Sequence, residues 1–145
     1  LCIRPAIPED FDQIEINYEN YEPTTLEIDY AYGMYLINCS ENLLTFDSKY
    51  GILGIVGVRY GEILEVFSCI STHFKDVLTN TYLRLIREAI NVLVGDRPAY
   101  MLVYSKKAKR FARFLGFGPT GKFKGESEIY ERDTIPGSTN RSVRD

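Results

Sequence analysis

Apolar residues change their period along the chain, and each change marks an element. Cys2–Arg4 carries a short strand pattern that stops at Pro5. Pro8, Glu9 and Asp10 then predict a helix start, because proline suits the first helical turn and acids there oppose the helix dipole. Phe11, Ile14 and Tyr18 recur at i, i+3 and i+7 and give that helix one apolar stripe, which Pro23 ends. Thr24 followed by Glu27 is a capping-box pattern and predicts a second helix running to about Asn38. Leu43–Phe46, Ile52–Tyr60 and Ile63–Ile70 are apolar runs separated by Ser48-Lys49-Tyr50-Gly51 and by Gly61-Glu62. Runs this closely spaced predict an antiparallel three-strand meander over residues 43–70.

Tyr82, Leu85, Ile86, Ala89, Ile90 and Leu93 keep helical spacing and predict a long helix that ends at Val94, before the Gly95-Asp96-Arg97-Pro98 break. Ala99–Tyr104 reads as a buried strand. It is predicted parallel to the strand ending at Ile70, since the long helix supplies the crossover that parallel neighbours need. Ser105–Leu115 is a further helix, stopped by Gly116 as a left-handed cap. Phe117–Phe123 and Ser127–Arg132 form a hairpin across Lys124-Gly125-Glu126. The order predicts one α/β domain over residues 1–132, a mixed sheet with helices on both faces, followed by a polar, flexible tail over 133–145.

Composition narrows the classes. A chain of 145 residues is one domain's worth, and 45% hydrophobic against 26% charged residues excludes a disordered polymer. The longest uninterrupted apolar run, Gly51–Val58, is too short to span a bilayer as a helix. Cys2, Cys39 and Cys69 include no CxxC pair, which argues against a disulfide scaffold and a zinc ribbon. His73 is the sole histidine, so a His-rich metal site is excluded and no metal is predicted. With no basic-then-apolar leader at the N-terminus, the predicted location is cytoplasmic. Charge is asymmetric: residues 1–50 carry ten acids against Arg4 and Lys49, whereas residues 71–125 carry eleven bases against Asp76, Glu88 and Asp96. Such separation suits a polyanion site, a dipolar surface or self-association.

The element order and two local strings resemble the Gcn5-related N-acetyltransferase (GNAT) superfamily. "IRPAIPEDFDQI" at Ile3–Ile14 is similar to that family's first strand and helix. "SKKAKRFARFLGF" at Ser105–Phe117 is similar to its late motif N-x-x-A-x-x-x-Y-x-x-x-G-F, with Ala108, Gly116 and Phe117 in register. The resemblance implies a GNAT-like central sheet, acetyl-CoA as cofactor and an amine acceptor. In the family, a glycine-bearing turn after the fourth strand lets backbone N–H groups approach the cofactor's pyrophosphate. The matching stretch here, Ser71–Thr81, contains no glycine, and Thr79 and Thr81 stand near the glycine positions. The late motif's tyrosine, which protonates the departing thiolate, is replaced by Ala112, and its asparagine by Ser105.

Two functions follow from these matches and departures. The first is a GNAT-fold protein with an eroded acetyl-CoA site and no cofactor, acting by protein binding or assembly, with a protein partner or further copies of itself. In this respect the chain resembles the GNAT-like internal virion and assembly proteins of short-tailed phages, which would place it within a virion. The alternative is an active acetyl-CoA-dependent N-acyltransferase of a small or peptide amine. The resemblance then implies Glu65 as the base acting through water, Tyr104 as a replacement acid, strand-four backbone groups holding the pantetheine, and Thr79, Asn80, Thr81 and Ser105 near the cofactor. Lys106, Lys107, Lys109, Arg110 and Arg113 put five cations in eight residues without an acid, a partner-binding face or a coenzyme phosphate site. No nucleic-acid motif supports that class of partner. The early tyrosines Tyr18, Tyr21, Tyr30, Tyr32 and Tyr35 suit an acceptor cleft or a protein contact.

Overall fold

The computed structural model describes residues 2–16, 18–22, 27–72 and 80–132. Their elements are β1 (Cys2–Pro5), α1 (Asp10–Gln13), a 3-10 turn (Tyr18–Asn20), α2 (Tyr30–Cys39), β2 (Ser40–Ser48), β3 (Gly51–Arg59), β4 (Leu64–Ile70), α3 (Asn80–Val94), β5 (Ala99–Val103), α4 (Lys106–Phe114), β6 (Gly118–Lys124) and β7 (Ser127–Arg132). The strands form one sheet in the order β1-β2-β3-β4-β5-β7-β6. The predicted meander is present, and β4 pairs with β5 in the predicted parallel sense while the other neighbours are antiparallel.

Burial explains why β3 reads as an unbroken apolar run. As a central strand it is covered on both faces, and Ile52–Val58 is buried throughout. Val56, Val58, Leu64, Val66, Met101 and Val103 pack on one face with Ile86 and Ile90 of α3 and Ala112 of α4. Ile55 and Cys69 face the other way, toward Phe11 and Leu36. Helices therefore lie on both faces, as in the predicted α/β mixed sheet.

Two helix boundaries differ from the sequence reading. The helix that follows the tyrosine-rich segment begins at Tyr30 rather than at Thr24, because Asp29 is its N-cap and accepts the Tyr32 N–H at 2.9 Å. Pro23–Leu26 lie outside the described residues. The first helix is a single turn. Ile14 is already extended, with ψ at 132°. Glu15 then accepts the Thr72 N–H at 2.8 Å, and Ile16 bridges Ser71. Pairing with the end of β4 thus outweighs the helical period, and Tyr18 falls into a separate turn where its hydroxyl accepts the Ile28 N–H at 2.9 Å.

Asp10, read as an acid of the first helical turn, is buried at 1% exposure. It takes a bidentate pair of hydrogen bonds from Arg4 at 2.8 and 2.9 Å, one from the Ile7 N–H at 3.0 Å and one from the Thr45 hydroxyl at 2.7 Å. This single carboxylate ties β1, α1 and β2 together. Burial alone would raise its pKa; the bonds from Arg4, Ile7 and Thr45 outweigh that and hold it below the usual range. α2 is docked on α1 at Gly33, where an added Cβ would overlap the Phe11 ring.

Asp10→Asn keeps the shape but removes the charge, and chemical denaturation at pH 7 should show a loss of about 2–3 kcal/mol. That is less than a wholly buried pair would lose, because Arg4 still reaches water. The native carboxyl titrates below the unfolded value of about 3.9, so its stabilisation is complete above that value and fades as pH falls through the native one. The difference between wild type and variant should therefore narrow in acid. Gly33→Ala gains about 1 kcal/mol of helix propensity, yet the overlap with a buried ring should leave a net loss of about 1–2 kcal/mol.

Candidate functional site at the split between two strands

The seam between β4 and β5 is short. Only Leu64↔Ala99 and Glu65↔Tyr100 are in register. Beyond them β4 stays paired to β3 as far as Gly54↔Ile70, and β5 stays paired to β7 as far as Val103↔Glu128. Each strand is held from its outer side, so the sheet opens between them. A cavity of about 590 Å³ lies at this opening, lined by residues 65–70 of β4, by Met101–Tyr104, by Tyr21 and Tyr32, and by Lys107, Arg110 and Phe111 of α4.

Glu65 and Tyr104 both line this cavity. The Glu65 carboxylate is largely buried, and its Oε1 meets Arg59 and the Tyr100 hydroxyl, each at 3.4 Å. Both contacts are long for hydrogen bonds. Arg59 also donates to the Tyr35 hydroxyl at 2.9 Å and lies 5.6 Å from the centre of its ring. Burial first, then the neighbouring Glu65 charge, raises the Tyr100 hydroxyl above its ordinary pKa. The Tyr104 hydroxyl has no hydrogen-bond partner among the described residues. Ala112 is fully buried in the core and puts no polar group at that position.

The remaining sequence candidates separate. Ser105 is the N-cap of α4: its hydroxyl accepts the Ala108 N–H and donates to Asn20 Oδ1, both at 3.0 Å. Asn80 and Thr81 open α3, are exposed and do not line the cavity. Thr79 and His73 lie outside the described residues, as does the stretch His73–Thr79. The basic helix is not one uniform face. Lys107 and Arg110 border the cavity, Lys109 reaches Glu128 at 3.8 Å, and Arg113 lies 5.8 Å from the centre of the Tyr130 ring. Lys106 is exposed.

Arg59 and Tyr100 are site residues that sequence reasoning missed. Their signal was the register: Arg59 faces Glu65 across the β3–β4 turn, and Tyr100 faces it across the seam. The tyrosine cluster divides as well. Tyr21 and Tyr32 line the cavity, whereas Tyr30 and Tyr35 are exposed. Burial raises Tyr32 to about 12 and Tyr21 well above its ordinary value. Among the described residues no group of three or more histidine, cysteine or acidic side chains is placed to hold a metal, and no helix is long and apolar enough to cross a membrane.

Cys69 also borders the cavity, yet complete burial pushes its thiol up to about 12, only partly offset by a hydrogen bond with Tyr21. At pH 8 about one such thiol in ten thousand would be ionised. A thiol-reactive chromophore should therefore label exposed Cys2 promptly and Cys69 only after denaturant is added, a difference readable by mass spectrometry of the labelled peptides.

No protein-family model matches the chain, and no curated protein matches it by sequence. Solved structures do match. An aminoglycoside acetyltransferase, AAC(6')-Ib, in complex with coenzyme A superposes with a TM-score of 0.64 at 12% identity, covering 97% of this chain and 98% of that one. An acetyltransferase of the GNAT family from Streptococcus pneumoniae gives 0.56 at 17% identity, with 90% and 95% covered. The spermidine N-acetyltransferase SpeG from Vibrio cholerae gives 0.55 at 14% identity, with 90% and 92% covered. At these identities the likeness is one of fold, and the fold of this chain is that of the GNAT acetyltransferases.

Proposed function

We propose that the chain binds an acyl-coenzyme A thioester in the split between β4 and β5 and transfers its acyl group to an amine. The observation that carries this reading is the opening of the seam after two register pairs into a cavity walled by both Glu65 and Tyr104. A cavity of this size suits a small ligand or the arm of a larger one. The site fits such a ligand in two further respects. On its β5 side the β4 backbone beyond the seam faces no strand among the described residues, and Lys107 and Arg110 set positive charge at the border for phosphate groups.

The thioester supplies an activated acyl carbon. Glu65 serves as the base that takes a proton from the acceptor ammonium through water, with Arg59 and Tyr100 fixing one carboxylate oxygen and leaving Oε2 without a partner among the described residues. Tyr104, whose hydroxyl has no hydrogen-bond partner among the described residues, is the candidate acid for the departing thiolate. Ser105 acts through structure, since its cap fixes the start of α4 and hence the position of Lys107. Asn80 and Thr81 would contribute through the start of α3 only.

A second reading rests on the glycine-free stretch Ser71–Thr81 and on Lys106, Lys107 and Arg110, which are exposed and have no ion pair among the described residues. On this reading coenzyme A binds weakly or not at all, and α4 docks on the acidic first third of another copy or on an acidic protein. Thermal denaturation with acetyl-coenzyme A separates the two. At 100 times the dissociation constant a one-site ligand adds about 2.7 kcal/mol, seen as a melting shift of several degrees. Such a shift at micromolar ligand supports the transferase; no shift at millimolar ligand overturns it.

The double change Lys107→Glu with Arg110→Glu should weaken coenzyme A binding at least tenfold if these cations meet phosphates, with little change in melting temperature because both are exposed. Under the docking reading it should instead impair self-association in sedimentation. Added salt should do the same, since exposed charges are screened beyond about 10 Å at 0.1 M.

A further inference from the structure

β4 continues past the point where β5 leaves it, so its backbone groups on that side have no strand to bond. Leu64 donates its N–H across the seam to Pro98 O at 3.4 Å, whereas Ser71, of opposite parity, donates to Leu53 on the β3 side. Alternation along a strand turns the N–H and C=O groups of Val66, Ser68 and Ile70 to that side; the Val66 N–H makes the last bond of the seam, to Tyr100 O, and the groups beyond it face the opening. An unpaired strand edge of this kind is ready to bond an amide from elsewhere.

One position on that edge is already filled. The Tyr21 hydroxyl donates to Ser68 O at 3.0 Å. In a parallel ladder, one residue of the facing strand donates to the carbonyl of residue i and accepts from the N–H of residue i+2. With its phenol O–H, Tyr21 supplies the first of those two bonds, the one to the β4 carbonyl. Its approach is fixed. The Tyr21 N–H bonds Tyr18 O at 3.1 Å within the preceding turn, and Asn20 of that turn is bonded by the Ser105 cap of α4.

We infer that Tyr21 is a surrogate partner of the sheet edge that sets the affinity of the cavity, because a ligand whose amide N–H is to bond Ser68 O must first displace its hydroxyl. The inference rests on the transferase reading for the choice of ligand, coenzyme A, whose arm carries amides. A site whose competent form is only partly populated binds with its intrinsic affinity reduced by that fraction. Tyr21 therefore excludes weak ligands that cannot replace its bond to Ser68.

The test compares wild type with Tyr21→Phe, which keeps the ring and its packing and removes only the hydroxyl. Two measurements are made: calorimetric titration with coenzyme A, and the carbonyl-carbon resonance of Ser68 in the free, isotope-labelled proteins. The variant should bind coenzyme A about two- to tenfold more tightly, the range that one net hydrogen bond represents. Its Ser68 carbonyl resonance should move upfield as the hydrogen bond is lost. Equal or weaker binding by the variant, or an unmoved Ser68 resonance, would overturn the inference. If neither protein binds coenzyme A at millimolar concentration, the transferase reading fails. The Ser68 resonance then decides the Tyr21 contact by itself, an upfield shift supporting it and no shift refuting it.

Discussion

The parallel seam between β4 and β5 is the constraint on which the rest depends. Two register pairs join the two parts of the sheet, and each strand is otherwise held by its outer neighbour. A longer seam would have satisfied more backbone groups and left no room between the strands. The short one leaves β4 with bonds to be made by something other than β5. Everything chemically interesting in the molecule gathers at that deficit: Glu65 and Tyr100 at its last rung, Tyr21 on its free edge, Tyr104 on the opposite wall and the cations of α4 at its border.

The helices around the split are placed by a few strong local contacts. Asp10 binds β1 and β2 to α1, and Gly33 lets α2 lie against Phe11. That layer carries Tyr32 and Tyr35 toward the Arg59–Glu65 pair. On the other face, Ile86 and Ile90 of α3 and Ala112 of α4 are packed into the core. The Ser105 cap then connects α4 to the turn that carries Tyr21. Stability and site geometry are therefore coupled through short paths, and a change in the first fifteen residues is felt at β4 through the Glu15–Thr72 and Ile16–Ser71 contacts.

Much of the architecture was legible in the residues. The meander, the parallel placement of Ala99–Val103, the long helix to Val94 and the left-handed stop at Gly116 each follow from period, turn chemistry or the crossover rule. The resemblance to the acetyltransferases singled out Glu65 and Tyr104, and both line the cavity. What escaped were features created by distant pairing. Ile14 sits in a good helical stripe but is extended, because the next residues bond the end of β4. Asp10 looks like an ordinary acid of a first turn, and only the approach of Arg4 and Thr45 makes it a buried hub. The five cations of α4 read as one face, whereas Glu128 and the Tyr130 ring draw Lys109 and Arg113 away from the cavity border. Tyr21 was one tyrosine among five, and nothing local tells that its hydroxyl meets Ser68.

The central claim is that the split itself is the ligand site. Amide resonances of the isotope-labelled protein, followed as coenzyme A is added, test it most directly. The account predicts that the shifted resonances fall on the two walls of the opening, Val66–Ile70 and Met101–Tyr104, and at the start of α4 around Lys107. Shifts confined to the exposed surface of α4, or no shifts at millimolar coenzyme A, would contradict it.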